Sequence, residues 1–288
     1  MKYVRTGEHQ PDALNKLHEL QPKEEFNKGP LKRIDVLLTM IQEDFPDKLS
    51  EYISNQISNY ESLLKEENID KHTLPDFLLE DKPLLKNYPK LAGYVLNYYL
   101  HLLQMSGTPD WTTDRIKTPQ CAFFRSFLLP RYQNLQMLIK TLGREQAINL
   151  YKKYVSHFFI QLGKPDTPTD FVNLREHYEK VRKPRSPPSD WITVRGLMDN
   201  GKYFFMNENC LWVDALPYIE DKELIYLICC YGDYQSIQQN YNQHIILTME
   251  HTIAQGDPYC SRVLHDTRED WDLRHPKKEF WDELHNQP

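Results

Sequence analysis

Four side chains in the second half of the chain have the types that thiol chemistry requires: Cys210, Cys230, Asp233 and Cys260. Each falls at the end of an expected element, where backbone geometry often turns a side chain toward a cleft. In "CYGD", Cys230 and Asp233 lie one helical turn apart, so a continuing helix would put them on one face. Such a pair can polarise a bound group, or it can be a buried thiol beside a capping carboxylate. The stretch "HTIAQGDPYCSRVLHD", residues 251–266, adds His251, a turn at Gly256, and Cys260 followed by Arg262. Strand alternation sends Cys260, Arg262 and Leu264 to one face and Ser261, Val263 and His265 to the other. His265 is therefore no partner for Cys260, whereas His251 or His244 can approach it across a hairpin. A nucleophilic thiol needs an adjacent base or a lowered pKa, and Arg262 on the same face can supply the latter.

The elements that must position these residues follow from periodicity. In "FPDKLSEYISNQISNYESLLKEEN", Leu49, Tyr52, Ile53, Ile57, Tyr60, Leu63 and Leu64 recur at three- and four-residue steps, the mark of an amphipathic helix. "KLAGYVLNYYLHLLQ" is a helix packed on most sides, and "RYQNLQMLIKTL" and "REQAINLYKKYVSHFFIQL" form a pair broken at Gly143. After "EKVRKPRSPPSD", at 179–190, prolines stop any helix and the period changes. "WITVRGL" and "KYFFMNENC" are strands joined through Asn-Gly. "CLWVDALPYI" and "KELIYLICCYGDY" are short helices, the second capped by Asp221. "HIILTMEHTIA" and "YCSRVLHD" are strands joined through "QGDP", where Gly256 accepts positive φ. The expected fold class is α+β: a helical N-terminal layer, then a small antiparallel sheet with packed helices. The expected parts are a helical extension over 1–115, a further helical part over 116–178, and an α+β part over 190–288.

Composition narrows the function. With 288 residues, 40% hydrophobic and 26% charged, the chain is large enough for a substantial core and has a globular composition. Its 41 acidic and 35 basic side chains, net -6, disfavour a sequence-independent grip on nucleic acid. No run approaches the roughly 18 uninterrupted apolar residues of a spanning helix, and no signal peptide opens the chain, so no membrane and a cytoplasmic location are expected. Five cysteines suit free thiols rather than a disulfide framework. Neither paired CxxC motifs nor HExxH occur, so no metal is expected, and the absence of phosphate-binding and dinucleotide loops leaves no cofactor expected.

The order "LGREQAINLYKKY", "NENCLWVDALPYI", "LICCYGDY" and "LTMEHTIAQGDPYCSRV" resembles the L-2-amino-thiazoline-4-carboxylic acid hydrolase family over roughly residues 130–268. The shared features fall at Leu142 and Gly143, at Cys210, at Cys230 with Asp233, and at Thr252, Gly256 and Cys260. Ser261 and Arg262 stand where that family usually has an acidic and an aromatic residue, and the first 115 residues have no counterpart. The resemblance implies a hydrolase acting on a small molecule of sulfur or nitrogen metabolism. It would open a cyclic isothiourea by adding water at the carbon that bears the exocyclic nitrogen. In that reading Asp233 holds the protonated nitrogens. Attack comes from a Cys260 thiolate or from water activated by His251. Cys210 and Cys230 line the site, and Arg262 or Arg195 clamps the substrate carboxylate. The alternatives are a non-catalytic small-molecule binding or sensory module, in which the tyrosine-rich helices enclose a ligand, and a helical interaction scaffold.

Overall fold

The structure, a computed structural model, describes residues 1–66, 69, 72–105, 109–111, 115–162, 173–183, 186–240, 242–269 and 271–287. Seven strands are present among them: β1 (Lys2–Thr6), β2 (Leu17–Leu20), β3 (Ile116–Pro119), β4 (Thr193–Leu197), β5 (Tyr203–Asn207), β6 (Ile245–Met249) and β7 (Cys260–Asp266). The helices are α1 (Pro22–Lys28), α2 (Pro30–Asp44), α3 (Leu49–Glu66), α4 (Pro89–Leu102), α5 (Gln120–Leu142), α6 (Arg144–Leu162), α7 (Leu174–Val181), α8 (Leu211–Ala215), α9 (Lys222–Cys229), α10 (Asp233–Asn240) and α11 (Lys278–His285). The fold is α+β. Two compact units emerge, one of residues 1–13, 159–214 and 218–288, the other of 14–158 and 215–217. Among the described residues no helix is long and apolar enough to cross a membrane.

The first unit is built on a five-stranded antiparallel sheet in the order β1-β4-β5-β7-β6. The β4–β5 hairpin turns where Asn-Gly predicts it, with Gly201 at φ +86°. The strand at the very start of the chain is new: Lys2 pairs with Leu197 and Thr6 with Thr193, closing one edge of the sheet. Alternation divides the strands cleanly. One face presents Val194, Phe204, Met206 and Val263, covered by Tyr259 and by Trp281 and Leu284 of α11. Burying a side chain such as Phe204, with no exposed surface, contributes about 2–3 kcal/mol. The other face buries Tyr203, Leu247 and Leu264 beneath Leu174 and Tyr178 of α7, with Tyr234 and Ile237 of α10 packed alongside. This second face carries Cys260 and Arg262, since Asn207 pairs with Cys260 and Phe205 with Arg262.

The second unit holds α1 to α5, most of α6 and the β2–β3 ribbon. Helix α3 buries Leu49, Tyr52, Ile53, Tyr60 and Leu64 of the face its spacing predicts, with Gln56 buried among them, while Ile57 and Leu63 of that face are half-buried. Gln56 Nε2 donates to the Tyr52 hydroxyl (2.6 Å) and to Asn134 Oδ1 (3.0 Å), which satisfies its amide nitrogen there. Helices α5 and α6 break at Gly143, whose φ is +82°. Helix α5 begins well before the expected start and runs through Pro130. The proline removes one amide donor, and the buried side chains on both sides of it (Phe124, Leu128, Leu129, Leu135 and Leu138) keep the helix continuous.

Candidate functional site

Five of the seven residues singled out by the sequence line one cavity of about 220 Å³ in the sheet unit: Cys210, Cys230, Asp233, Cys260 and Arg262. Three structural devices place them. Cys260 and Arg262 come from alternate positions of β7. Cys210 precedes the short α8, its sulfur facing the backbone N–H groups of Val213 and Trp212. Cys230 and Asp233 do not share a helix as their spacing suggested. Helix α9 ends at Cys229, Cys230 is its C-cap, and a turn closed by Asp233 N–H to Cys230 O (2.9 Å) starts α10 at Asp233. Asp221 caps α9 by accepting Leu224 N–H at 3.3 Å, as predicted. Helix α10 is tied to the sheet through Tyr234, whose hydroxyl lies 3.1 Å from that of Tyr226 and donates to Met249 O at 3.4 Å.

Arg262 organises the polar wall. Its Nε and Nη2 both donate to Asp233 Oδ2, at 3.2 and 2.9 Å, while Nη1 donates to Asn207 Oδ1 at 2.9 Å. Asn207 is held in turn by donating to Thr193 Oγ1 (3.0 Å). A guanidinium has five N–H groups, so one hydrogen remains on each Nη, and Asp233 keeps Oδ1 outside the pair. The ring of Phe205 lies under the guanidinium, 5.5 Å from centre to carbon. Trp191 and Trp212, edge to face at 6.1 Å, and Ile237 and Leu247 complete an apolar and aromatic lining.

The electrostatics separate the groups. Burial pushes the Cys210 thiol up to about 12, and burial with the adjacent Cys229 drives Cys230 well above its ordinary value. Both are neutral thiols near pH 7. Burial raises the Asp233 carboxyl, with Arg262 opposing that rise. Burial works against the charge of Arg262, yet the adjacent Asp233 carboxylate holds its pKa above the usual value.

The loop between β6 and β7 is specific. Strand β6 stops at Met249, and residues 253–255 form a single 3₁₀ turn. Thr252 N–H donates to Asp257 Oδ2 (2.9 Å), Gln255 N–H donates to Thr252 Oγ1 (3.2 Å), and Gly256 takes φ +99°. The turn directs the Ile253 N–H onto Cys260 Sγ at 3.3 Å.

Two expected site residues lie elsewhere. His251 is not among the cavity's lining residues; its ring packs edge-on against Tyr259 at 5.8 Å, and Nδ1 is 3.6 Å from Asp257. The loop, rather than a two-strand register, decides its direction. Arg195 shares a sheet face with Arg262 but lines a separate cavity. Conversely, Asn207, Phe205, Trp191, Trp212 and the Ile253 amide were not singled out beforehand. Asn207 and Phe205 become visible once β5 is paired with β7, because register alone puts them opposite Cys260 and Arg262. Among the described residues no three His, Cys, Asp or Glu side chains group as a metal ion requires.

Residues 123–263 match the family model described as L-2-amino-thiazoline-4-carboxylic acid hydrolase, which covers just under half of the chain and contains all five cavity residues. Neither the curated proteins nor the solved structures provide a significant match.

Proposed function

We propose that the match of residues 123–263 to the L-2-amino-thiazoline-4-carboxylic acid hydrolase model reflects a shared activity, and that the Arg262 cavity hydrolyses a small cyclic isothiourea or amidine that carries a carboxylate. The observation that supports this most is the convergence of three thiols and the Asp233–Arg262 pair on one aromatic-walled hollow. Such a substrate has a cationic end and an anionic end. Asp233 Oδ1 accepts from the protonated ring and exocyclic nitrogens, making the carbon between them electrophilic. The two remaining Nη hydrogens of Arg262 take the carboxylate, and the fixed contacts through Oδ2 and Asn207 keep both groups in place without reorganisation. Phe205, Trp191 and Trp212 flank a flat ring.

Cys260 is the nucleophile. Cys210 and Cys230 form part of the wall, and the Cys260 sulfur accepts the Ile253 N–H at 3.3 Å on the strand position two before Arg262. The thiolate adds to the carbon bearing the exocyclic nitrogen, one ring bond from that carbon breaks, and the departing ring atom takes a proton. Water then adds to the same carbon and expels the Cys260 thiolate, so its oxygen becomes the carbonyl of a carbamoyl product. Among the described residues no histidine lines the cavity, and the proton of Cys260 passes to solvent. His251 acts at one remove, through the loop that carries Ile253.

The test is incubation of the purified chain with L-2-amino-thiazoline-4-carboxylate in ¹⁸O-water. One ¹⁸O atom should enter the carbamoyl group, and a free thiol should appear if the C–S bond breaks but not if the C–N bond does. Ligand binding without product would instead indicate a non-catalytic binding module.

A further inference from the structure

We propose that the second cavity on this sheet face, at the β1–β4 edge, is a binding site for a small doubly charged oxyanion of the phosphoryl type, gripped by Arg195, Lys183 and Ser189. The cavity has a volume of about 250 Å³, enough for such a group. No acidic side chain is among its described lining residues. Arg195 projects into it from β4 and has no ion pair among the described residues; its one side-chain hydrogen bond is a long one, Nη1 to Val181 O at 3.4 Å. Its Nε is buried without an acceptor. Arg195 is otherwise half-buried, with its Nη groups free of any carboxylate partner among the described residues, and a buried guanidinium N–H without an acceptor is disfavoured and is an exception in native structures, one that a bound anion would satisfy.

The rest of the cavity suits that occupant. Lys183 supplies a second positive charge from just past the end of α7, so the site matches a dianion better than a monoanion. Ser189 Oγ accepts Trp191 N–H at 3.2 Å, which leaves its own hydrogen to donate. The wall is fixed before any ligand arrives: Glu8 N–H donates to Ser189 O at 2.8 Å, and Gly7, at φ +86°, passes so close that a Cβ there would lie 2.0 Å from Trp191 O. Arg5 also lines the cavity, but its guanidinium is already paired with Glu208 at 2.9 Å. This inference does not depend on the reaction proposed for the Arg262 cavity.

Calorimetric titration of the full chain with inorganic phosphate, at constant ionic strength and at a pH where phosphate is a dianion, should show one saturable site. Arg195→Gln should weaken it at least about tenfold and Lys183→Gln about threefold. Acetate, a monoanion, should bind more weakly than phosphate. Glycerol phosphate separates the two sources: tighter binding than inorganic phosphate means the site reads the phosphoryl group of an ester, and weaker binding means it reads the free ion. Absence of saturable binding to either phosphate probe would overturn the proposal. So would an unchanged affinity in Arg195→Gln. Should that variant not fold, Lys183→Gln at the exposed rim decides in its place.

Discussion

Arg262 and Arg195 occupy equivalent places in the sheet, both in register with Phe205 and on the same face, with their Cα atoms about 10 Å apart by strand spacing. Their surroundings differ completely. Arg262 holds a carboxylate and an amide oxygen, and its side chain is 12% exposed; Arg195 has one weak carbonyl contact and a buried, unpartnered nitrogen. The lesson is that residue type and face do not fix a role. What the next helix brings decides: α10 opens with Asp233 above Arg262, while α7 reaches Arg195 with its carbonyl end.

The sharpest way to break this comparison is turnover. Arg262→Gln should lower kcat/KM by a hundred- to a thousandfold, about 3–4 kcal/mol in the barrier, while Arg195→Gln should change it less than about twofold. Equal losses in steady-state assays would make the two cavities one site. Cys260→Ala should abolish product with its melting midpoint close to that of the unsubstituted chain. Stability comes next. Removing Arg262 leaves Asp233 without its counter-ion and should cost about 3 kcal/mol in urea unfolding, whereas Arg195→Gln, which removes a poorly satisfied cation, should fall within about 0.5 kcal/mol or stabilise slightly.

The pH dependence of stability probes the Arg195 side more finely. His177, 7% exposed and edge-on to Tyr203 at 4.8 Å, is held down to about 4 by burial and then by Arg195 and Lys180. Its folded pKa lies below the unfolded value, so the unfolded chain binds the proton first. The contribution is therefore complete above about pH 6.5 and is lost as pH falls toward 4, about 2 kcal/mol between pH 7 and 5. Arg195→Gln, by removing one of the causes, should flatten that slope, and a slope unchanged in urea titrations would place Arg195's charge away from His177. A modest effect is expected at Gly256→Ala, where φ +99° imposes about 1 kcal/mol of strain. A fall in turnover there larger than the stability loss explains would mark the Ile253 amide as the sensitive contact.

Much of the architecture was legible because it is local. Asn-Gly specified the β4–β5 turn, Asp221 specified a helix start, and alternation along "YCSRVLHD" set which side chains share a face. The parts that escaped depend on distant pairing. Strand β1 has only five residues, mostly exposed, and nothing nearby in sequence to pair with. The division of "CCYGD" into two helices rests on a turn that periodicity cannot see. In the candidate site, the sequence supplied the thiols, Asp233 and Arg262, and the structure supplied their common cavity. The direction of His251 was set by a loop with its own hydrogen bonds, and the aromatic walls came from strand and helix neighbours.

Strand β1 also bears on how the molecule is made. It is made before its partner β4, and all of residues 14–158, the bulk of the other unit, are synthesised between the two. The helical unit can condense during synthesis, whereas the sheet must wait, with the edge of β4 unpaired until the opening residues return to it. A substitution that blocks this pairing, such as Val4→Pro opposite Arg195, should therefore hinder maturation of the sheet unit far more than that of the helical unit.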